Sequence, residues 1–259
     1  MILIKTQKEI VTMGIGGKIL AEVLFEVLIH AKPGVSELEL DNLAEKLIVE
    51  KGGEPGFKKV RGYKHTICVS TNDVVVHGIP TGYRLQEGDV FGIDCGVYYE
   101  GFHTDAAHTA RVKSQISNLK SQKEKDGIDR FLETGKHALE EAIKQARVGN
   151  HVGHISKTIQ SIVEANGYSV VRSLIGHGVG RALHEEPEVP GFLTRTIEKT
   201  PELTSGMTIA IEVIYNMGEK EVVYANRDGW TIKTGDSSIS GLFERTVAIT
   251  EKGPRVLTA

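Results

Sequence analysis

Four carboxylates interrupt apolar, strand-like runs of this chain, where ionised groups are rare. Asp94 lies in Phe91-Gly-Ile-Asp-Cys-Gly-Val97, Asp105 in Phe102-His-Thr-Asp-Ala-Ala107, Glu212 closes Met207-Thr-Ile-Ala-Ile-Glu212, and Glu244 sits in Leu242-Phe-Glu-Arg-Thr-Val247. An uncompensated buried carboxylate is costly, and two close together repel. A salt bridge to a buried Arg or Lys accounts for one such acid; four on apolar strands call for a cation. A hairpin turning around Tyr99-Glu100 would set Asp94 directly opposite Asp105, with Cβ atoms about 4.5 to 5.5 Å apart. His177, in Gly176-His-Gly-Val-Gly180, adds an imidazole on a glycine-rich loop that permits close approach. This oxygen-rich donor set with one imidazole suits a pair of divalent ions such as Mn, Fe(II), Co or Zn, and not a structural thiolate zinc site. Two such ions about 3.5 to 4 Å apart hold a bridging hydroxide and polarise a carbonyl or phosphoryl group, so the expected chemistry is hydrolysis.

The elements that must position these groups recur. Ala31-Lys-Pro-Gly34 aligns with Ala146-Arg-Val-Gly149, and in the same frame Leu40 meets Ile155, Leu47 meets Ile162, Ile48 meets Val163 and Gly52 meets Gly167. Gly88-Asp-Val-Phe-Gly-Ile-Asp94 then matches Gly206-Met-Thr-Ile-Ala-Ile-Glu212, and between them His77-Gly-Ile-Pro80 mirrors His184-Glu-Glu-Pro187. The shared order marks a duplication. A single catalytic domain over residues 1–259, made of two related α+β halves at about 1–112 and 128–259, follows as the expectation, with the sheets joining and the matched acids meeting near a pseudo-two-fold axis.

Local signals place the elements. Thr6 with Glu9, and Ser36 with Glu39, are capping boxes that open two helices, the second ending at Gly52-Gly53. Thr66 to Val76 reads as strand, turn and strand; Asp89–Val97 and Phe102–Val112 read as two strands, and Ile128–Gln145 as a helix. The polar segment 113–127, between a strand and a helix, reads as a solvated loop.

Composition excludes other classes. The 259 residues carry 31 Lys and Arg against 34 Asp and Glu, a net charge of −3, which gives no electrostatic drive toward nucleic acid or an anionic membrane. No apolar run reaches membrane-spanning length and the start has no signal-peptide core, so a cytoplasmic setting is expected. Cys68 and Cys95, the 2 cysteines, lie in apolar strand-like runs and read as buried thiols.

Taken together, CVSTNDVVVHGIP at Cys68–Pro80, GDVFGIDCGVYYEGFHTD at Gly88–Asp105, SLIGHGVGRALHEEP at Ser173–Pro187, GMTIAIE at Gly206–Glu212, DGWTIKT at Asp228–Thr234 and FERTVAIT at Phe243–Thr250 resemble the methionine aminopeptidases of type I in their short bacterial form. The resemblance covers essentially the whole chain. It implies the α+β "pita-bread" fold, a curved antiparallel sheet with paired outer helices, and a metal site of Asp94, Asp105, His177, Glu212 and Glu244, with Asp105 and Glu244 bridging. By the same resemblance His77 and His184 stand beside the metals as donors to the substrate carbonyl and its oxyanion, Glu212 accepts the proton of the attacking water, and Tyr63, Cys68 and Trp230 line the methionine pocket. It further implies two divalent ions (Co, Mn, Fe(II) or Zn), N-termini of nascent polypeptides with a small second residue as substrates, the ribosome as a candidate partner, and a monomer. The sequence departs from the pattern at Val60 and Leu183, where aromatics are common, at Val213, where proline is usual, and at Arg245, where histidine is usual. These four bear on the shape of the pocket.

Overall fold

The structure, a computed structural model, describes residues 1–113 and 126–259. The polar segment read as a solvated loop lies outside the described residues except at its ends.

Both capping boxes form. Thr6 and Ser36 each accept from the amide three residues on, while Glu9 and Glu39 reach back, opening α1 (Gln7–His30) and α2 (Glu37–Glu50). The first half continues through β1 (Glu54–Pro55), β2 (Ile67–Thr71), β3 (Val74–Val76), β4 (Val90–Tyr99) and β5 (Phe102–Arg111). The second holds α3 (Gly127–Gln145), α4 (Val152–Ala165), β6 (Ser169–Val170), β7 (Gly176–Gly178), β8 (Glu185–Val189), β9 (Thr208–Asn216), β10 (Val222–Tyr224), β11 (Ile232–Thr234), β12 (Ser240–Thr250) and β13 (Gly253–Val256). Among the described residues no helix is long and apolar enough to cross a membrane.

The sequence correspondence reappears in space. β1 and β2 share one edge of β4, pairing at Val97–Tyr98 and at Phe91–Cys95; β6 and β7 share one edge of β9, pairing at Tyr215–Asn216 and at Ile209–Ala210. Matched glycines adopt matched positive φ: Gly34 and Gly149 at 92° and 84°, Gly52 and Gly167 both at 81°, Gly88 and Gly206 both at 93°. A side chain would strain each of these turns, so glycine is retained at both copies.

Period-two alternation sorts the strands into an outer and an inner face. On β4, Phe91, Ile93, Cys95 and Val97 pack under α1 and α2 with Leu20, Val27, Leu40 and Ile48, while Asp94 points the other way. On β9, Ile209, Ile211, Val213 and Tyr215 pack under α3 and α4 with Phe131, Ile155 and Ile159, which turns Glu212 to the inner face. Burying the outer apolar rows thus aims the acids inward.

The two sheets meet where β5 runs beside β12. There Thr246 Oγ1 accepts from Asp105 N at 2.9 Å and donates to Asp105 O at 2.8 Å, and Thr109 Oγ1 does the same for Leu242, accepting at 2.9 Å and donating at 2.8 Å. Two hydroxyls stand in for ladder bonds, so the buried strand edges are satisfied and the halves' inner faces become continuous.

Candidate active site

The hairpin register corrects one expectation. The turn is Glu100-Gly101, with φ of 44° and 91°, the double positive φ of a tight two-residue hairpin, rather than one centred on Tyr99-Glu100. Tyr99 therefore pairs with Phe102, Asp94 faces Ala107, and Asp105 faces Gly96, so the two aspartates are diagonal neighbours on one face instead of directly opposite. Direct opposition occurs in the other half, where Glu212 and Glu244 are register partners. Asp94 and Glu212 also stand in mid-strand, each strand continuing past its acid.

His177 lies on β7 instead of a free loop, paired with Glu188 on one side and Ala210 on the other. Its neighbouring glycines answer close backbone approaches: a Cβ at Gly176 would stand 2.5 Å from Ala210 O, and one at Gly178 only 2.2 Å from Glu186 O. The His177 Nδ1 contacts Gly178 O at 2.8 Å, which makes Nδ1 the protonated nitrogen and leaves the Nε2 lone pair facing Glu212 Oε1, 3.6 Å away. Asp105, His177 and Glu244 present ligand atoms all within 4.8 Å of one another.

The electrostatics of this cluster are those of a cation site. Asp94 Oδ1, Asp105 Oδ1 and Glu244 Oε1 are buried without a hydrogen-bond partner among the described residues, although buried polar atoms are almost always paired. Burial raises all four carboxyls, Asp94 to about 7 and the others well above the usual range, with repulsion from neighbouring acids adding for Asp105, Glu212 and Glu244. Burial lowers His177 to about 4, so it is neutral at pH 7 and free to ligate. The residues fit the divalent ions that the donor set suggested: each orphaned oxygen gains a positive partner, and the repulsion that raises the carboxyls is reversed.

A pH effect follows from these directions. An acid whose folded-state pKa is raised binds more protons folded than unfolded, so stability falls as pH rises through the interval between the two values. Below about pH 6.5 the lowered histidines oppose this, each binding fewer protons folded than unfolded. The chelator-treated protein is therefore expected to lose thermal stability as pH rises past that point, where Asp94, at about 7, and the other raised acids still titrate, and the stabilisation on adding Mn or Co should grow over the same range. Thermal midpoints with and without metal at pH 6.5, 7, 7.5 and 8 test this; a flat metal-free profile over that range would show that the acids are not raised.

One cavity of about 130 Å³ joins the cluster to an apolar pocket, and all five residues read as ligands line it together with His77 and His184. Cavities of this size accommodate a benzene-sized group. Tyr63, Cys68 and Trp230 form its walls as expected, the Tyr63 and Trp230 rings 5.1 Å apart and edge to face, with Val60 and Leu183 beside them. His77 follows β3 with φ 56°, and the tight turn returns through Gly78, whose Cβ would stand 1.9 Å from Val69 O. His184 immediately precedes β8, its ring 4.3 Å from that of His177. Burial lowers both histidines, His77 further through its nearness to His184.

The sequence reading missed Phe57, which fills the pocket against Tyr63 and Leu183. Gly96 was the available signal: a Cβ there would meet the Phe57 ring at 2.8 Å, so a glycine facing inward between two acids marks an aromatic over it. The structure also removes two departures from the pocket. Val213 is buried in the outer core under α3 and α4. Arg245 likewise points away from the cavity, its Nη1 donating to Ala107 O at 3.1 Å and Glu244 O at 2.6 Å. Each follows an inward-facing acid in a strand and so faces outward; of the four departures, only Val60 and Leu183 touch the cavity.

Acids and an imidazole converging beside an apolar pocket on a duplicated α+β scaffold are the equipment of a metal-dependent peptidase. The chain belongs to metallopeptidase family M24, whose family model matches residues 12–251. It is 42% identical over 258 residues to the methionine aminopeptidase of Clostridium perfringens, covering 100% of this chain and 99% of that protein. The crystal structure of methionine aminopeptidase from Thermotoga maritima superposes with a TM-score of 0.92 at 38% identity, covering 100% of this chain and 99% of that one. A prolidase from Pyrococcus furiosus, at 21% identity, shares the fold alone, with a TM-score of 0.76 over 99% of this chain and 65% of its own. The pita-bread fold and the resemblance drawn from the motifs are both borne out.

Proposed function

We propose that the chain removes the N-terminal methionine from polypeptides with a small second residue, using two divalent ions held by Asp94, Asp105, His177, Glu212 and Glu244. The carrying observation is the convergence of three orphaned, buried carboxylate oxygens and the His177 imidazole at the end of an apolar cavity. When bound, the ions would supply a nucleophile at neutral pH and polarise the scissile carbonyl. Asp105 and Glu244 sit across the seam between the halves and are assigned as the bridging pair. Glu212 is assigned the proton of the attacking water, since it lines the cavity with its Oε1 3.6 Å from the His177 imidazole and, ionised beside bound cations, offers a carboxylate oxygen to accept it. His77 and His184, kept neutral by burial, donate N–H bonds to the carbonyl oxygen as it gains charge. Tyr63, Cys68, Trp230, Phe57, Val60 and Leu183 enclose the first side chain and exclude water.

We assign this activity to one catalytic domain spanning 1–259, acting as a monomer in the cytoplasm on nascent chains. The joined inner faces support the single domain, because ligands from both halves are needed for one centre.

Equal metal loading and a peptide panel of Met-Ala-Ser, norleucyl-Ala-Ser, Leu-Ala, Lys-Ala, Ala-Pro and Met-Lys test the reading. Met-Ala-Ser should be cleaved, Lys-Ala and Ala-Pro left intact, and Met-Lys cleaved slowly. Discrimination against norleucine should be modest, since about one methylene of fit in an apolar pocket carries roughly 1 to 3 kcal/mol. A preference for Ala-Pro would assign an Xaa-Pro peptidase, and a protein that binds no metal and ignores chelators would be a peptide-binding module.

A further inference from the structure

Outside the cavity, one buried ion pair stands apart from the surface pairs of this chain. Lys5 Nζ lies 2.5 Å from Glu185 Oε2, with the two side chains only 4% and 5% exposed. Lys5 precedes α1 and is held on its other side by its backbone N–H, which donates to Gly206 O at 2.8 Å in the turn leading to β9. Glu185 directly follows His184, and its Oε1 accepts from Ala182 N at 3.1 Å, closing a turn that contains only Leu183 and His184 between its two ends. The start of that turn is tied to the other half, His103 N donating to Gly180 O at 2.6 Å. Gly180 leaves room for the ion pair: a Cβ there would stand 2.4 Å from Lys5 Cε and 2.8 Å from Glu185 Oε1. The third glycine of the Gly176–Gly180 run thus serves Lys5, not His177.

We infer that Lys5 is a positioning residue for the reaction: its ammonium fixes the Glu185 carboxylate, and so sets where the His184 imidazole and the Leu183 wall stand. The inference rests on the activity proposed above. A buried pair is poor at adding net stability, because desolvating both ions offsets most of their attraction, so its presence beside the His184 turn points to placement. The nearby Arg181–Glu9 pair, 2.7 Å apart but with Arg181 65% exposed, is screened by solvent and adds little to that hold. Displacements near 1 Å of a reacting group carry losses of about 10²-fold, the scale on which a slackened turn acts.

The test uses the metal-loaded full chain and Met-Ala-Ser. Lys5→Met keeps the unbranched stem of the side chain and removes the ammonium; it should retain its metal, melt lower and show kcat reduced by about 10- to 100-fold, more than any change in KM. The double variant Lys5→Met with Glu185→Gln removes the stranded charge, so its melting temperature should recover while kcat stays low. Imidazole NMR of His184 should show a shifted or broadened ring in both variants, a readout independent of turnover. Unchanged kcat in Lys5→Met, or kcat recovering together with stability in the double variant, would reduce the pair to a structural role. Failure of the unmodified protein to cleave Met-Ala-Ser would instead remove the activity reading and leave the NMR result to judge the clamp.

Discussion

Turnover is expected to fall below detection in Asp105→Asn and in Glu244→Gln, with bound metal falling alongside. Both side chains are nearly sealed, at 4% and 2% exposure, and each holds a carboxylate oxygen with no hydrogen-bond partner among the described residues. An amide preserves the shape, so the seam bonds of Asp105, which use only its backbone, survive. What is lost is the negative charge that, on the proposed assignment, would hold two cations close together. Asp105→Asn also relieves the repulsion that helps raise Glu244, so that metal-free variant should melt higher than the metal-free parent while gaining less from added Mn or Co. Metal analysis, melting curves and rates on Met-Ala-Ser check all three. Full activity with a full metal complement in either variant would end the bridging assignment.

The second large effect belongs to the histidines. His77→Ala and His184→Ala should each keep metal and fold yet slow turnover by about 10²- to 10³-fold, the loss that accompanies removal of one oxyanion donor. Burial lowers both imidazoles, so they are neutral at pH 7 and available for the proposed N–H donation, and kcat should show no loss from their deprotonation between about pH 7 and 8, above the ordinary histidine range. His77 is held by the return through Gly78 and His184 by the turn that Glu185 closes, so neither alanine should disturb the other. A variant that loses its metal would identify that histidine as a ligand instead.

Much of the site was legible because its signals are local. Capping boxes at Thr6 and Ser36, glycines at turns of positive φ, and acids breaking apolar strands each report on a few consecutive residues, and the duplication gave them a shared order. Alternation could have gone further than it was taken: Val213 and Arg245 each follow an inward acid and so had to face outward, away from the pocket.

The order of helices and strands, the family motifs and the types of group available for chemistry were thus determined by the sequence alone, since short-range sterics, hydrogen-bond satisfaction and period decide them. Tertiary structure decided the rest. Whether Asp105 meets Asp94 or Gly96 depends on which two residues turn the hairpin, and Gly101 at φ 91° takes the place that a Tyr99-Glu100 turn would have denied it. The Thr246 and Thr109 seam, the Phe57 ring above Gly96 and the Lys5–Glu185 pair join residues far apart in the chain. No local preference marks such partners; they are selected when the outer apolar rows are buried under their helices and the two inner faces close on one another.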